Sequence, residues 1–193
     1  MKVMALDPAG ESFGVVVLEP TPSGMLGISW SHLLSAPSEW GISQKNCYMA
    51  HAVAAMIALE KPDHVVSEKP WGMGFSKQSL TELIGAIKAE IWDDISWQSI
   101  SEARRSVLGD GWGDSTKQMS AEWIEQYPWS PGAKKFIRAQ LEKANPETKD
   151  GYDILDAILH GLCFMVSKGI IAPKHKEPKA KKERKKKVKD AVV

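Results

Sequence analysis

The order of β-like and helix-like segments predicts an α/β fold, with a mixed five-stranded sheet flanked by helices. Three β-like segments follow one another at the N-terminus, and two shorter ones then alternate with helical patterns. Several further helical patterns follow before the apolar residues stop. An order of three strands, then helix, strand, helix, strand and more helices implies a mixed sheet with helices on its faces.

Three strands are predicted first, because apolar runs are separated by short turn-forming segments. The runs are Val3 to Leu6, Phe13 to Leu18 and Met25 to Leu34. Residues 8–10 read Pro-Ala-Gly and residues 20–24 read Pro-Thr-Pro-Ser-Gly, both typical of turns. Short turns between consecutive strands predict an antiparallel meander.

The middle of the chain alternates between helix and strand. Cys47 to Glu60 is rich in Ala and Met and ends before Pro62, which predicts a buried helix. His64 to Glu68 reads as a short strand stopped by Pro70. A helix is then predicted from Ser79, because Ser79 and Glu82 match a capping box and apolar residues recur with helical spacing.

The last third is predicted to be mainly helical. A strand at Ile95 to Ile100 is followed by a short basic helix around Arg104 and Arg105, by a Gly-rich loop and then by three further helices. Those helices are expected at Lys117 to Tyr127, Pro131 to Lys143 and Tyr152 to Lys168.

Charge divides the chain into two parts. Residues 173–189 contain ten Lys or Arg and two Glu, whereas residues 1–172 contain 15 basic and 21 acidic residues. We therefore expect one acidic globular domain over residues 1–172 and a disordered basic tail over residues 173–193. Such a tail could neutralise DNA phosphates, or it could simply be a solubilising end.

The cysteines and the lack of a signal-peptide pattern lead us to expect a cytoplasmic protein. Cys47 and Cys163 lie in apolar, helix-like stretches without metal-ligand spacing, so they are predicted to be reduced core residues. The N-terminus lacks the apolar region of a signal peptide, and no segment reads as a membrane span. No membrane partner is expected.

Four acids form the candidate site. Asp7 and Glu68 each end an apolar strand pattern, and they would face the same sheet edge if those strands were neighbours. Asp153 and Asp156 are spaced i, i+3 on the apolar last helix, so both lie on one face. Acids that are buried together are costly unless a cation compensates them, which predicts a divalent-metal site. The alternatives are solvated surface acids, or Asp153 as the cap of the last helix.

At these residues the sequence resembles the RuvC family of Holliday-junction resolvases, with a phage-type member as the expected kind. The resemblance consists of an apolar strand ending in Asp7-Pro8, the strand ending in Glu68 with the helix that follows it, and the motif from Asp153 to Ala157 that opens the last helix. The three motifs occur in the family's order and span nearly all of residues 1–170.

The resemblance implies an RNase H-like fold and a homodimer that nicks four-way DNA junctions in pairs, leaving 5′-phosphate and 3′-hydroxyl ends. It implies that Asp7, Glu68, Asp153 and Asp156 hold Mg²⁺, with two ions expected per active site and Mn²⁺ able to substitute. These four acids and Lys117 would then be the catalytic residues. Branched DNA, above all the four-way junction, would be the substrate.

The resemblance also implies which side chains contact DNA. Lys117 follows a Gly-containing loop and resembles the family's lysine at the scissile phosphate, while Arg104 and Arg105 are candidate phosphate contacts. Trp71 matches an aromatic position that stacks on bases at an opened junction, and Phe75 is a second candidate. The alternatives are a solvated helix end for the basic residues and an ordinary core aromatic for Trp71.

Several features depart from the family pattern and leave other functions open. The first motif reads Asp-Pro-Ala-Gly, and residues 129–149 form an added stretch before Asp153. One alternative is an RNase H-like nuclease of broader branched-DNA specificity that acts in phage replication, recombination or packaging. Another is a DNA-binding accessory protein whose acids are structural. A zinc hydrolase is disfavoured, because the five His residues show no ligand spacing.

Overall fold

The computed structural model describes residues 1–8, 12–69, 75–91, 95–99, 101, 103, 117–145 and 151–172, with the backbone alone at 75–80, 117 and 118. The described residues form five strands and five helices. The strands are β1 (Val3–Pro8), β2 (Ser12–Pro20), β3 (Leu26–Ser35), β4 (His64–Glu68) and β5 (Ile95–Gln98). The helices are α1 (Ile42–Glu60), α2 (Phe75–Ile91), α3 (Lys117–Ile124), α4 (Pro131–Lys143) and α5 (Asp153–Ser167).

The five strands form one mixed sheet in the order β3-β2-β1-β4-β5. The pairs β1/β2 and β2/β3 are antiparallel, which confirms the predicted meander, while β1/β4 and β4/β5 are parallel. Parallel neighbours need a crossover connection, and α1 and α2 provide it here. The α/β class with a mixed five-stranded sheet is therefore confirmed.

Helices cover both faces of the sheet. Along the buried central strand β1, successive side chains point alternately to the two faces. Val3 and Ala5 pack in a core cluster with α3, α4 and α5, whereas Met4 and Leu6 pack in a second cluster with α1 and α2. Helix α5 is buried along nearly its whole length, from Ile154 to Met165. It packs across β1 and β2, which brings its first turns to the sheet edge where β1 ends.

The edge strand β3 is tied to the segment between α3 and α4. The Leu26 N–H donates to the carbonyl oxygen of Pro128 at 2.8 Å, and the Ser130 N–H donates to the carbonyl oxygen of Leu26 at 2.8 Å. Between them, the indole N–H of the buried Trp129 donates to the Ile124 carbonyl oxygen at 2.7 Å. This anchor fixes where α4 starts relative to the sheet.

Two predicted helix starts were wrong. Helix α1 begins at Ile42 rather than at Cys47, because exposed polar residues of its first turn carry no apolar pattern. Its start is held by Gln44, whose side-chain oxygen accepts from the Gly41 N–H at 3.0 Å. Helix α2 begins at Phe75, so Ser79 lies inside it and the predicted capping box is wrong. No Gly or Pro interrupts the chain between Phe75 and Ser79, so the helix extends further back.

The remaining predicted helices differ little from the structure. Helix α4 has the predicted bounds, α5 is one residue shorter at each end, and α3 ends at Ile124 before a turn. Strand β5 ends at Gln98.

The two cysteines have different environments. Cys163 is buried, as predicted, but Cys47 is exposed and its prediction as a core residue is wrong. The buried residues of α1 are Met49, Ala50 and Val53, so this Ala- and Met-rich helix turns Cys47 to solvent although the sequence around it is apolar. In the part of the chain that the structure describes, no helix combines the length and apolar character needed to cross a membrane.

Candidate functional site

Asp7 and Glu68 lie side by side at one edge of the sheet. Strands β1 and β4 are parallel, and the last paired residues in their register are Leu6 and Ser67. Each acid is the next residue on its own strand, so both carboxylates are placed at the same ends of neighbouring strands. Asp7 is buried and Glu68 is half-buried. Because their strands are parallel neighbours, the two acids face the same edge of the sheet.

His160 on α5 completes a three-residue cluster with these two acids. One ligand atom from each of Asp7, Glu68 and His160 lies within 4.8 Å of the other two. His160 is fully buried, with 0% of its surface exposed. Two carboxylates and an imidazole at this separation could share one metal ion. His160 was not among the site residues predicted from the sequence.

Asp153 and Asp156 lie on the same helix, before His160. Asp153 is half-buried in the first turn of α5 and accepts a hydrogen bond from the Ser12 hydroxyl, while Asp156 is buried one turn before His160. The N-cap of α5 is Tyr152, so the alternative in which Asp153 caps this helix is wrong. The cluster within 4.8 Å contains neither acid, and their role as metal ligands stays a prediction.

Two glycines let α5 approach the sheet closely. Gly14 is the register partner of Asp7, and any side chain there would overlap the main-chain carbonyl of Asp153. A Cβ on Gly161 would lie 3.2 Å from the Cβ of Ala5 and would press against Leu18. Close packing at both glycines places the start of α5, and with it Asp156 and His160, against the end of β1.

Gln98 connects strand β5 to α5 at His160. Gln98 is the register partner of Glu68 and is buried. With its amide in the orientation that satisfies its neighbours, it donates to the His160 carbonyl oxygen at 2.9 Å and accepts from the Phe164 N–H at 3.0 Å. A regular α-helix pairs these two main-chain groups with each other. Gln98 therefore bridges them and fastens the helix beside Glu68.

Comparisons with known proteins bear on the fold. No protein-family model matches the sequence, and a search of curated proteins found no match. Among solved structures, Thermus thermophilus RuvC in complex with a Holliday junction is 12% identical with a TM-score of 0.63, over 88% of this chain and 97% of that one. The fowlpox virus Holliday junction resolvase is 16% identical with a TM-score of 0.53, over 86% and 99%. The yeast mitochondrial resolvase Ydc2 is 11% identical with a TM-score of 0.58, over 84% and 77%.

The chain has the RuvC-type, RNase H-like fold. This result confirms the fold predicted from the three short motifs. The RuvC-type fold extends over most of the chain, since the matches to the Thermus and fowlpox structures cover 88% and 86% of it.

The predicted DNA-contacting residues lie at the margins of what the structure describes. Trp71, Arg104 and Arg105 are outside the described residues, as is the tail from 173 to 193. Phe75 opens α2 and Lys117 opens α3, but their side chains are outside the description. All of these DNA contacts stay predictions.

The donor set of the site fits a hard divalent cation. Carboxylate oxygens are the ligands that Mg²⁺ prefers, and an imidazole extends the choice to Mn²⁺. Asp7, Asp156 and His160 are buried, and Glu68 is half-buried. A bound cation would offset the negative charge that converges at this sheet edge.

Proposed function

We propose that the protein is a metal-dependent DNA endonuclease that resolves four-way junctions by paired nicks. The observation that carries the proposal is the meeting of Asp7, Glu68 and His160 within 4.8 Å on a RuvC-type fold. The Thermus and fowlpox structures with this fold include complexes with Holliday junction DNA, which supports a branched-DNA substrate for this chain.

Asp7, Glu68 and His160 would hold one metal ion. Asp153 and Asp156, on the first turns of the same helix as His160, would supply carboxylates for a second. Mg²⁺ is the expected ion, with Mn²⁺ as a substitute. When bound, divalent cations supply Lewis-acid activation of water and neutralise charge that develops on the scissile phosphate. Cleavage on this basis leaves 5′-phosphate and 3′-hydroxyl ends.

The chain's own residues provide the positioning. Ser12 donates to Asp153 and fixes its carboxylate at the start of α5, and Gln98 holds the main chain at His160. Lys117 would contact the scissile phosphate as a catalytic residue. The predicted DNA contacts beyond the site are Trp71, Phe75, Arg104, Arg105 and the basic tail.

The direct test is cleavage of end-labelled four-way, three-way and linear DNA with and without Mg²⁺. Paired, symmetric nicks that are confined to the four-way substrate and need Mg²⁺ would support junction resolution. Equal cleavage of three-way DNA would support the broader branched-DNA nuclease instead. Absence of cleavage in both Mg²⁺ and Mn²⁺ would contradict the proposed function.

Paired nicks need two active sites with two-fold symmetry, so we propose a homodimer. Light scattering of the protein with and without junction DNA measures its stoichiometry. A junction complex that contains one protein chain would contradict the dimer.

A further inference from the structure

A cleft of about 580 Å³ lies between β3, α4 and the first turn of α5. Asp153, a predicted metal ligand, is in its wall together with the Ser12 that donates to it. The cleft therefore reaches the first turn of α5, the helix that carries His160 two turns further on. Its volume falls within the range of about 300 to 1,000 Å³ that is usual for small-molecule sites.

One wall of the cleft is a single face of α4. Phe136, Gln140 and Lys143 are spaced i, i+4 and i+7, so they lie in a row along the helix. Phe136 is half-buried against the core cluster, Gln140 is half-buried and Lys143 is exposed. The row thus presents an aromatic ring, an amide and a cation in sequence. The facing wall contains Ser31 and Leu33 of the edge strand β3.

The charge of α4 contrasts with the rest of the domain. The helix carries four Lys or Arg and one Glu, although residues 1–172 together carry more acidic than basic residues. Lys143 is the basic residue of α4 that lines the cleft, and its ammonium group favours a ligand that is anionic at that end. The Asp153 carboxylate in the wall disfavours a small free anion, which would lie close to it.

We propose that this cleft binds one nucleotide of the DNA strand that passes through the candidate metal centre. Phe136 contacts the base, the Gln140 amide hydrogen-bonds to the base edge, and Lys143 pairs with a phosphate. An amide offers both a donor and an acceptor, so Gln140 discriminates between bases. This inference rests on the proposed endonuclease function, and it assigns the added stretch of residues 129–149 a role in choosing where the strand is cut.

The first experiment measures binding of a fluorescent single-stranded oligonucleotide by the full chain in EDTA, so that cleavage plays no part. Phe136→Leu retains apolar volume and should weaken binding by roughly fivefold through loss of base stacking. Lys143→Ala should lower the slope of log affinity against log salt by about 0.7, the value for one phosphate contact on a single strand.

The matched control is Lys135→Ala, which removes the same charge from an exposed position of α4 outside the cleft. It should retain the parent's affinity within twofold and nearly the parent's salt slope. Thermal melting of every variant verifies that α4 is still folded. Equal effects of Lys143→Ala and Lys135→Ala would overturn the assignment of Lys143.

The second experiment maps nicks on a pool of four-way junctions whose bases around the crossover are randomised. The parent should prefer certain bases near the nick, and Gln140→Ala should flatten that preference at one position. An unchanged base profile for Gln140→Ala and Phe136→Leu would overturn the inference.

The two experiments separate this inference from the proposed function. A parent that nicks junctions, with variants that keep its profile and affinity, contradicts the cleft alone. A parent that never cleaves DNA, but whose oligonucleotide affinity depends on Phe136 and Lys143, contradicts the endonuclease alone.

Discussion

The side-chain amide of Gln98 donates to the main-chain carbonyl of His160 at 2.9 Å, joining the strand next to Glu68 to the helix that carries the imidazole. Three elements from separate parts of the chain thus meet here: β4 supplies Glu68, β5 supplies Gln98 and α5 supplies His160. The distance between Glu68 and His160 depends on this bridge as well as on core packing.

Replacing Gln98 by Ala should lower both stability and metal affinity. The substitution removes two buried hydrogen bonds to the main chain of α5, each of which contributes about 0.5–1.5 kcal/mol to the free energy of unfolding. Residues that orient a ligand typically contribute roughly tenfold or more to metal affinity. Urea unfolding and Mn²⁺ titration calorimetry measure the two effects. The exposed Gln126→Ala serves as control, and unaltered Mn²⁺ affinity in Gln98→Ala would contradict the positioning role.

Asp7→Asn should abolish Mg²⁺-dependent cleavage of a synthetic four-way junction while leaving DNA binding nearly unchanged. The amide keeps the shape of the side chain but removes the negative charge that a hard cation needs. Gel-based cleavage and fluorescence anisotropy measure the two properties. Glu39→Gln, an exposed acid neutralised in the same way, should cleave like the parent. Full residual cleavage by Asp7→Asn would exclude a metal site at this residue.

His160→Ala should reduce Mn²⁺ affinity more than Mg²⁺ affinity. Imidazole is a favourable ligand for transition metals, whereas Mg²⁺ depends mainly on carboxylate oxygens, so its loss changes the preference between the two ions. Calorimetric titration with each ion gives the ratio of affinities, which a purely structural effect would not alter. His51→Ala, on the exposed side of α1, is the matched control. The same loss for both ions would argue that His160 only fills space.

Gly14→Ala should destabilise the protein and weaken the site together. The added methyl group overlaps the Asp153 carbonyl, and overpacking of this kind costs about 1–3 kcal/mol. Gly85→Ala is the contrasting control: its Cβ meets nothing within 4 Å on α2, and Ala in a helix interior stabilises by roughly 0.5–1 kcal/mol. Chemical unfolding compares the variants. Wild-type stability for Gly14→Ala would mean that α5 can shift away without cost.

Removal of residues 174–193 should weaken DNA binding and flatten its salt dependence without eliminating cleavage at low salt. The tail from 173 to 189 has a formal net charge of +8, and each phosphate that it neutralises releases counterions. Anisotropy titrations over a range of salt concentrations give the slope. An unchanged slope would show that the tail does not contact phosphates.

The sequence predicts the sheet and two of the site residues well, for local reasons. Asp7 follows the apolar run Val3 to Leu6, and Glu68 follows Val65, Val66 and Ser67 just before Pro70, so both positions at strand ends can be predicted without the fold. Their adjacency depends on β1 and β4 pairing in parallel, which the alternation of strand and helix indicates.

His160 could not be assigned in the same way. It is 92 residues from Glu68 and 153 from Asp7, and no spacing links it to either. A signal was present, because His160 continues the helical face of Asp153 and Asp156 among apolar neighbours. Which of the three approaches the sheet edge depends on how α5 packs at Gly14 and Gly161, and a single sequence does not contain that register.

The wrong start predicted for α2 has a physical cause. Ser79 fits a cap by residue type, but a helix begins where the chain can no longer continue backwards, and the residues from Phe75 to Gln78 are all compatible with helix. The exposure of Cys47 has a different cause: when a helix has apolar residues on several sides, the sequence does not show which side packs against the sheet.

The anchor between Leu26 and the residues on either side of Trp129 has a consequence for how proteins of this fold can diverge. Its two hydrogen bonds to β3 join main-chain atoms only, so they persist whatever side chains the neighbouring positions carry. Helix α4 is thereby held in place by a connection that is indifferent to sequence. The residues of α4 that face the cleft, at positions 136, 140 and 143, can therefore change while these two hydrogen bonds to the sheet stay in place.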